Sequence, residues 1–378
     1  MSAIANPSQS IDLETRILHD HEAFRTLRPD WSDLAERAEI ESAWLSHEWL
    51  DCWWEAFGGE GRLFVPTIWS SGRLIAAAPM MTIDMRIKGL RWRVLRFMEN
   101  GVTPRSQFLL TPDRTDAASL LWTLIESAFK EWDLAILANV PHEGSFNGWR
   151  AALADTRMRF IETPDRQSPF IDLAQGFQAF RRTISPKLRE NINGARNRLS
   201  RLGDIEIQSV LGAGDVSAAL ETCFEISARG WKAASQSDLG SRAPHRAFYH
   251  ALADDNSLRE RLYIWILTVD KKPIAFNMVI RSGDTVSGLA TDYDLEFRQC
   301  SPGVYLFSQL LEELATLRVS RCDMAGQLHD YKRFWTKQYL AHSQFWVFHR
   351  APKSALLYIL KSRVLAPLKR LRPQRAAA

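Results

Sequence analysis

The sequence predicts a mixed α/β chain of the α+β kind, built as two tandem halves, each a mostly antiparallel sheet flanked by helices. Three observations lead there. First, three segments rich in β-branched and aromatic residues, Leu262 to Val269, Ile274 to Ile280 and Thr285 to Thr291, are separated by the polar turns 270–273 and 281–284. Second, Ser301-Pro302-Gly303 opens an amphipathic helix, Val304 to Leu317, with Leu306, Phe307, Leu310, Leu311, Leu314 and Leu317 on one face, and a last strand follows at Arg321 to Met324. Third, the same order of strand, turn, strand, extended segment, helix and buried strand occurs earlier, from 63 to 138. A chain of 378 residues suits two domains of ordinary size. The expected division is 1–170, then 171–350 with a basic helix at 177–202, then a basic amphipathic tail at 351–378.

In chain order, Leu13 to Leu18 reads as a strand and His21 to Ala38 as helical. Ser46 is placed to cap a helix running to Phe57, since Trp49, Leu50, Trp53, Trp54 and Phe57 recur at helical spacing and Gly58-Gly59 stops it. Leu63 to Trp69 and Leu74 to Ile83 form an expected hairpin, and Arg91 to Met98 continues the sheet. Asp116 to Trp132 reads as a helix with Phe129 on its apolar side, and 133–138 as a buried strand. Ile161 to Leu173, carrying Pro164 and Pro169, suits a crossover. Pro186 begins or kinks a helix that buries Leu188, Ile192, Ala195 and Leu199. A strand from Ile205, helices over 215–230 and 244–254, and a closing strand from Ser343 to His349 complete the reading.

Composition describes a folded globular chain, 46% hydrophobic and 24% charged. Four cysteines, at 52, 223, 300 and 322, show no CxxC pair and no metal-ligand spacing, so reduced thiols are expected. His19-Asp20-His21 lacks a third ligand nearby and reads as a solvated turn, and no metal is expected. No apolar run approaches the roughly 20 residues that span a bilayer, and Met1 to Ser10 lacks a secretory pattern. The expected location is the cytoplasm, with peripheral contact to the inner face of the membrane through the tail. Neither a GxSxG elbow nor a GxxxxGK[ST] loop is present, which argues against serine hydrolases and P-loop enzymes. The net charge of +4 is unevenly spread. Residues 174–203 hold seven basic side chains against Glu190, and 351–378 hold seven more and no acid, so the rest of the chain is acidic. Each basic segment reads as a solvated face, as a binder of an anionic partner, or, for the tail, as a helix lying on an anionic membrane or a frayed terminus.

Pro273-Ile-Ala-Phe276, Tyr293-Asp294, Ser301-Pro-Gly303, Asp323-Met-Ala-Gly326 and Tyr331-Lys332-Arg333-Phe334-Trp335 share their order and spacing with one known group. The stretch resembles the acetyltransferase domain of the GNAT superfamily, in its CelD/BcsL-type (cellulose-biosynthesis) and FemAB-like branch. The likeness extends more weakly over roughly residues 40 to 350, through Trp49-Leu50 and Leu188 to Asn191. One departure is that Arg298 to Gly303 holds a single glycine where the family's pyrophosphate loop is richer. The resemblance implies two tandem GNAT-like domains, acetyl-CoA or another acyl-CoA as co-substrate, and no metal. It also implies that Gly288, Leu289, Ala290 and Thr291 bind pantetheine and that Ser301, Pro302, Gly303 and Val304 meet the pyrophosphate, with Arg298 adding charge. A helix N-terminus suits that task, because its free N–H groups and dipole favour an anion; an ordinary strand-to-helix turn is the alternative.

Acyl transfer requires a polarised carbonyl, a deprotonated nucleophile and a protonated leaving thiolate. Tyr331, where the family's tyrosine meets the leaving sulfur, is the leading acid; packing in the core is its alternative. Asp292 and Asp294 flank Tyr293 at a strand end, so either is a candidate base or a turn residue. Tyr293 and Lys332 are placed on the substrate side, with Lys332 equally readable as a surface charge. Asp323 reads as structural and Cys300 as incidental. The first expectation is an acyl-CoA-dependent N- or O-acyltransferase acting on a sugar, lipid or envelope or exopolysaccharide precursor. One alternative is a FemAB-like transferase that draws on aminoacyl-tRNA and binds RNA along Arg181–Arg201. Another is a non-catalytic scaffold for an anionic polymer or membrane.

Overall fold

A computed structural model describes residues 12–40, 42–212, 214–230 and 239–365. The first half contains β1 (Leu13–Leu18), α1 (His21–Thr26), α2 (Arg28–Arg37), α3 (His47–Phe57), β2 (Arg62–Leu63), β3 (Val65–Ser70), β4 (Arg73–Ala77), β5 (Met80–Ile87), β6 (Leu90–Phe97), β7 (Leu109–Leu110), α4 (Ala117–Ser127), β8 (Leu134–Pro141), α5 (Phe146–Asp155) and β9 (Arg159–Asp172). The second contains α6 (Phe177–Thr183), α7 (Pro186–Ser200), β10 (Ile205–Leu211), α8 (Val216–Ala228), α9 (Ala243–Asp254), α10 (Asn256–Arg259), β11 (Leu262–Val269), β12 (Lys272–Ser282), β13 (Thr285–Tyr293), α11 (Pro302–Thr316), β14 (Arg321–Asp323), α12 (Asp330–Arg333), β15 (Tyr339–Phe348) and α13 (Pro352–Ile359).

Each half places a helix between two parallel strands in an otherwise mostly antiparallel sheet. β6 runs parallel to β8 across α4, and β13 runs parallel to β14 across α11. This is the repeat that the order of elements predicted. One sheet runs through both halves in the order β10-β11-β12-β13-β14-β9-β15-β8-β6-β5-β2, beside a smaller sheet β1-β3-β4-β7. The last strand, β15, is inserted between β8 and β9, and the end of β9 pairs with β14 through Phe170, Ile171 and Asp172. β9 is therefore a full strand and not the crossover expected at 161–173.

Several other expectations are corrected. The hairpin partner expected at 74–83 splits into β4 and β5, which belong to different sheets; Pro79, without an N–H, sits at the break. The helix expected to reach Trp132 stops at Ser127, where the Trp132 indole turns back to donate to the Ile125 carbonyl (3.0 Å). Phe129 consequently lies on the surface, 48% exposed. The helical region 21–38 is two helices, with Pro29 in the first turn of the second. Helix α5 was not anticipated.

The halves also share a core. Ser46 caps α3 by accepting from the Trp49 N–H (3.3 Å), and the face that follows is buried against α9. The Trp49 and Phe248 rings meet edge to face at 5.0 Å, and the Trp49 indole donates to Thr103 Oγ1 (3.0 Å). The cysteines described are all free thiols. His19, Asp20 and His21 contact Leu63 O, the Ala23 N–H and Asp51, respectively, and among the described residues no cluster is suited to a metal. No described helix is long and apolar enough to cross a membrane. In α13, Lys353 donates to Arg91 O (2.5 Å) and lies over the Trp92 ring, while Leu356 and Ile359 face outward. Tail residues 366–378, including Leu368, Lys369, Arg370, Arg372 and Arg375, lie outside the described residues.

Candidate functional site

The candidate site begins where two parallel strands part. β13 pairs with β14 only over Thr285–Ser287, against Arg321–Asp323. At the next residue, a Cβ on Gly288 would stand 3.4 Å from Met324 O. β13 itself continues along β12 to Tyr293, so Gly288, Leu289, Ala290 and Thr291 present a strand edge on the side β14 has left. The β12–β13 register slips there: Met278 faces Ala290 and Val279 faces Gly288, which leaves Leu289 as the extra residue of a bulge. Bulges re-aim backbone groups and end pairing, and an unpaired edge can accept an extended ligand by strand addition.

Beside this edge lies the start of α11. Ser301 adopts left-handed geometry (φ 55°, ψ 49°) and does not cap the helix with its side chain, and Pro302 occupies the first turn. Ser301 O accepts from the Val304 N–H (3.1 Å). Gly303 faces the Tyr293 ring, where a Cβ on the glycine would stand 3.8 Å from Tyr293 Cδ1. The structure thus brings Tyr293 together with Ser301, Pro302, Gly303 and Val304. Arg298 is exposed in the 3-10 turn leading in, Leu295–Cys300.

The sequence reading missed one partner of this helix start. Ser185 caps α7 and Pro186 begins it, so that Leu188, Ala195 and Leu199 are buried and the C-terminal end of α7 meets the N-terminus of α11. Arg198 Nη2 lies 3.4 Å from Ser301 Oγ, and Arg198 Nε is buried without a partner. The Arg196 charge acts on Tyr305, whose phenol burial pushes up. The only sequence signal was the basic run at 174–203, which does not say against which element it packs.

The aspartates point elsewhere. Side chains alternate along a strand, and with Tyr293 turned to α11, Asp292 and Asp294 face away from it. Asp292 is buried, accepts from Ser227 Oγ (3.0 Å), and would be struck by a Cβ on Gly230. Asp294 is ion-paired with Arg229 (2.7 Å) and caps the following turn through the Glu296 N–H (3.0 Å). The two do not share the Tyr293 side expected of them.

After β14, Asp323 is fully buried, ion-paired with Arg105, and accepts from the Ala325 N–H (2.9 Å). Lys332 is not a surface charge. It is buried, and its Nζ donates to Met324 O (2.9 Å) and Ala325 O (2.5 Å), fixing the loop that backs onto Gly288. Tyr331 is 51% exposed and stacks on His329. The atoms crowding its phenol raise its pKa, which keeps the proton available for donation. Trp335 packs edge to face on Phe307 of α11 at 4.8 Å, tying this segment to the helix.

Residues 186–333 match the family model described as acetyltransferase (GNAT) domain. Among solved structures, the C-terminal domain of a candidate lysylphosphatidylglycerol synthetase from Agrobacterium fabrum is 14% identical, with 89% of this chain and 97% of that chain covered and a TM-score of 0.55. FemX is 10% identical over 92% and 99%, with a TM-score of 0.54. A tandem GNAT protein from the clavulanic acid biosynthesis pathway is 14% identical over 90% and 99%, with a TM-score of 0.50. No curated protein matches the chain in sequence. Residues 186–333 are therefore similar to a GNAT acetyltransferase domain, and the chain as a whole shares the fold of a tandem GNAT protein.

Proposed function

We propose that the protein transfers an acyl group, acetyl in the first instance, from CoA to an amine or hydroxyl of a sugar, lipid or envelope or exopolysaccharide precursor. The observation that carries this reading is the juxtaposition of Arg198, with its unpartnered buried Nε, and the uncapped start of α11 beside the open edge of β13. That donor set fits the co-substrate. Backbone groups of Gly288–Thr291 would pair with the pantetheine amides, and the Ser301–Val304 turn with Arg198, Arg196 and Arg298 would hold the phosphates. The acceptor nitrogen or oxygen attacks the thioester carbonyl, the C–S bond breaks, and the Tyr331 phenol supplies the proton taken by the thiolate. The partners of Asp292 and Asp294 favour positioning of the β13 end over proton transfer. The envelope acceptor follows from the CelD/BcsL-type resemblance. Contact of 351–378 with a membrane belongs to the same proposal and draws on the exposed Leu356 and Ile359.

Calorimetric titration with acetyl-CoA and CoA tests it. Micromolar-range binding lost in Gly303→Glu and weakened in Arg198→Gln supports the site, and no heat from any short acyl-CoA rejects it. A second reading, aminoacyl transfer from tRNA, draws on the exposed Arg181, Arg182 and Lys187 of α6–α7. Salt-sensitive tRNA binding in the absence of acyl-CoA binding would select it.

A further inference from the structure

The seam between the halves contains a cleft of about 620 Å³, walled by Glu162–Gln167 of β9 and Ala341–Ser343 of β15, with Arg333 of α12 on its rim. Both strands beside His342 bulge. Against β9, Ala341 faces Gln167 while Ser343 faces Pro164, so Asp165 and Arg166 together stand opposite the single residue His342. Against β8, Ser343 faces Val140 while Phe345 faces Leu137, and Asn139 sits at φ 58°. Two successive irregularities, opposite His342 and opposite Gln344, redirect side chains into the space between strands.

The charges of the cleft are unevenly settled. Glu162 is held by Arg150 (2.7 Å) and by Ser343 Oγ (2.9 Å), which also meets His142 Nε2 (2.8 Å). Asp165 accepts from the Asn139 N–H (2.8 Å). Arg166 has neither ion pair nor side-chain hydrogen bond among the described residues, and its Nε is buried and orphaned. Arg333 has only Asp330, itself fully exposed, at 3.9 Å. His342 is 1% exposed. Its Nδ1 lies 3.1 Å from Leu340 O, and the backbone of Arg166 is a second polar neighbour of the ring. Nε2 is buried and has no hydrogen-bond partner among the described residues. Burial first, then the charges of Arg105 and Arg166, push His342 down to about 3, so it stays neutral at pH 7. An unpaired guanidinium and an unpartnered imidazole nitrogen on one cleft leave two desolvated groups that a ligand would satisfy.

We propose that this cleft binds the acyl acceptor, and that the acceptor is an anionic, hydroxyl-bearing small molecule. Its phosphate or carboxylate pairs with Arg166 and Arg333, and one of its hydroxyls, able to donate or accept, hydrogen-bonds to His342 Nε2. The volume suits a sugar-sized ligand. The ligand's role as acceptor rests on the acyl-transfer reading; its binding in this cleft does not.

The test is calorimetry on the full chain with glucosamine 6-phosphate, glucuronate, neutral glucosamine and inorganic phosphate, using wild type, Arg166→Gln, Arg333→Gln and Arg198→Gln. The phosphorylated or carboxylated sugar should bind wild type and weaken by roughly tenfold or more in Arg166→Gln, the loss of a charged hydrogen bond. Arg333→Gln, on the rim where folding is not at stake, should weaken it in the same sense, and Arg198→Gln should leave it unchanged while weakening acetyl-CoA. Which of the two anionic sugars binds tells phosphate from carboxylate. Equal affinity in wild type and both cleft variants overturns the proposal. So does neutral glucosamine binding as tightly as either anionic sugar, or inorganic phosphate binding as tightly as both. Anionic-sugar binding that is lost in Arg166→Gln, together with no heat from acetyl-CoA, upholds the site and rejects acyl transfer.

Discussion

Arg105, in the loop between β6 and β7, is ion-paired with Asp323 at the end of β14, and the carboxylate of that pair is fully buried. The contact joins the first half to the strand whose departure from β13 opens the candidate site. Arg105→Met leaves a buried carboxylate without its countercharge, which costs about 3–5 kcal/mol. Arg105→Met combined with Asp323→Asn removes the charge yet keeps an acceptor for the Ala325 N–H, so most of the loss should return. Urea unfolding of both variants checks this. A single variant as stable as wild type would show that the pair is not holding the halves together.

Stability should also depend on pH through His342. Its folded value, about 3, lies below the ordinary 6.5, so the unfolded chain binds the extra proton between those limits. The contribution is complete above pH 6.5 and declines as pH falls through the window toward 3. Each pH unit is worth about 1.4 kcal/mol, or about 2 kcal/mol at pH 5 for this one group. His47, also pushed down by burial, adds in the same direction. His342→Gln, which retains a donor for Leu340 O, should flatten the slope between pH 7 and pH 5 in urea titrations. An unchanged slope would assign the effect to other groups.

What the sequence made legible was local. The Ser46 cap, the Pro186 start and the apolar face of α11, with Leu306, Leu310, Leu311 and Leu314 all buried, follow from spacing that short-range geometry enforces. The repeated order of elements revealed the two halves because each carries its own helix between parallel strands. Partner choice was not legible. Nothing within Tyr339–Phe348 says that it pairs with β8 and β9, some two hundred residues away in the chain for β8. For the site, the family resemblance marked Gly288, Tyr293 and Ser301–Val304 as neighbours, while the local sequence by itself read the loop equally as an ordinary strand-to-helix turn. They did not reveal that α7 would set Arg198 beside Ser301, or that Arg229 and Ser227 would claim Asp294 and Asp292. Those contacts come from helices whose docking is decided by the whole core.

Lys332 offers a test of how the loop after β14 supports the strand edge. Its ammonium holds the Met324 and Ala325 carbonyls, and Ala325 and Gly326 both have positive φ (50° and 56°). Lys332→Met preserves length but removes the donor, and the released carbonyls should cost about 1–3 kcal/mol. Because Met324 O stands against Gly288, KM for the acyl donor should rise as the loop shifts. Thermal unfolding and steady-state kinetics measure the two effects separately. A loss of stability with KM unchanged would confine Lys332 to the fold.

Tyr331→Phe separates proton donation from packing. The side chain is half exposed and stacks on His329 through its ring, which phenylalanine retains, so stability should stay within about 0.5 kcal/mol of wild type. The phenol is exposed and stays protonated at pH 7, its pKa being raised further by the atoms around it. If it protonates the leaving thiolate, kcat should fall by about 10²-fold or more while the Kd for acetyl-CoA holds. The loss should be smallest with acyl donors whose thiol leaves easily, because a better leaving group needs less help from an acid. A kcat equal to wild type across such donors would take proton donation away from Tyr331 and leave the thiolate to solvent.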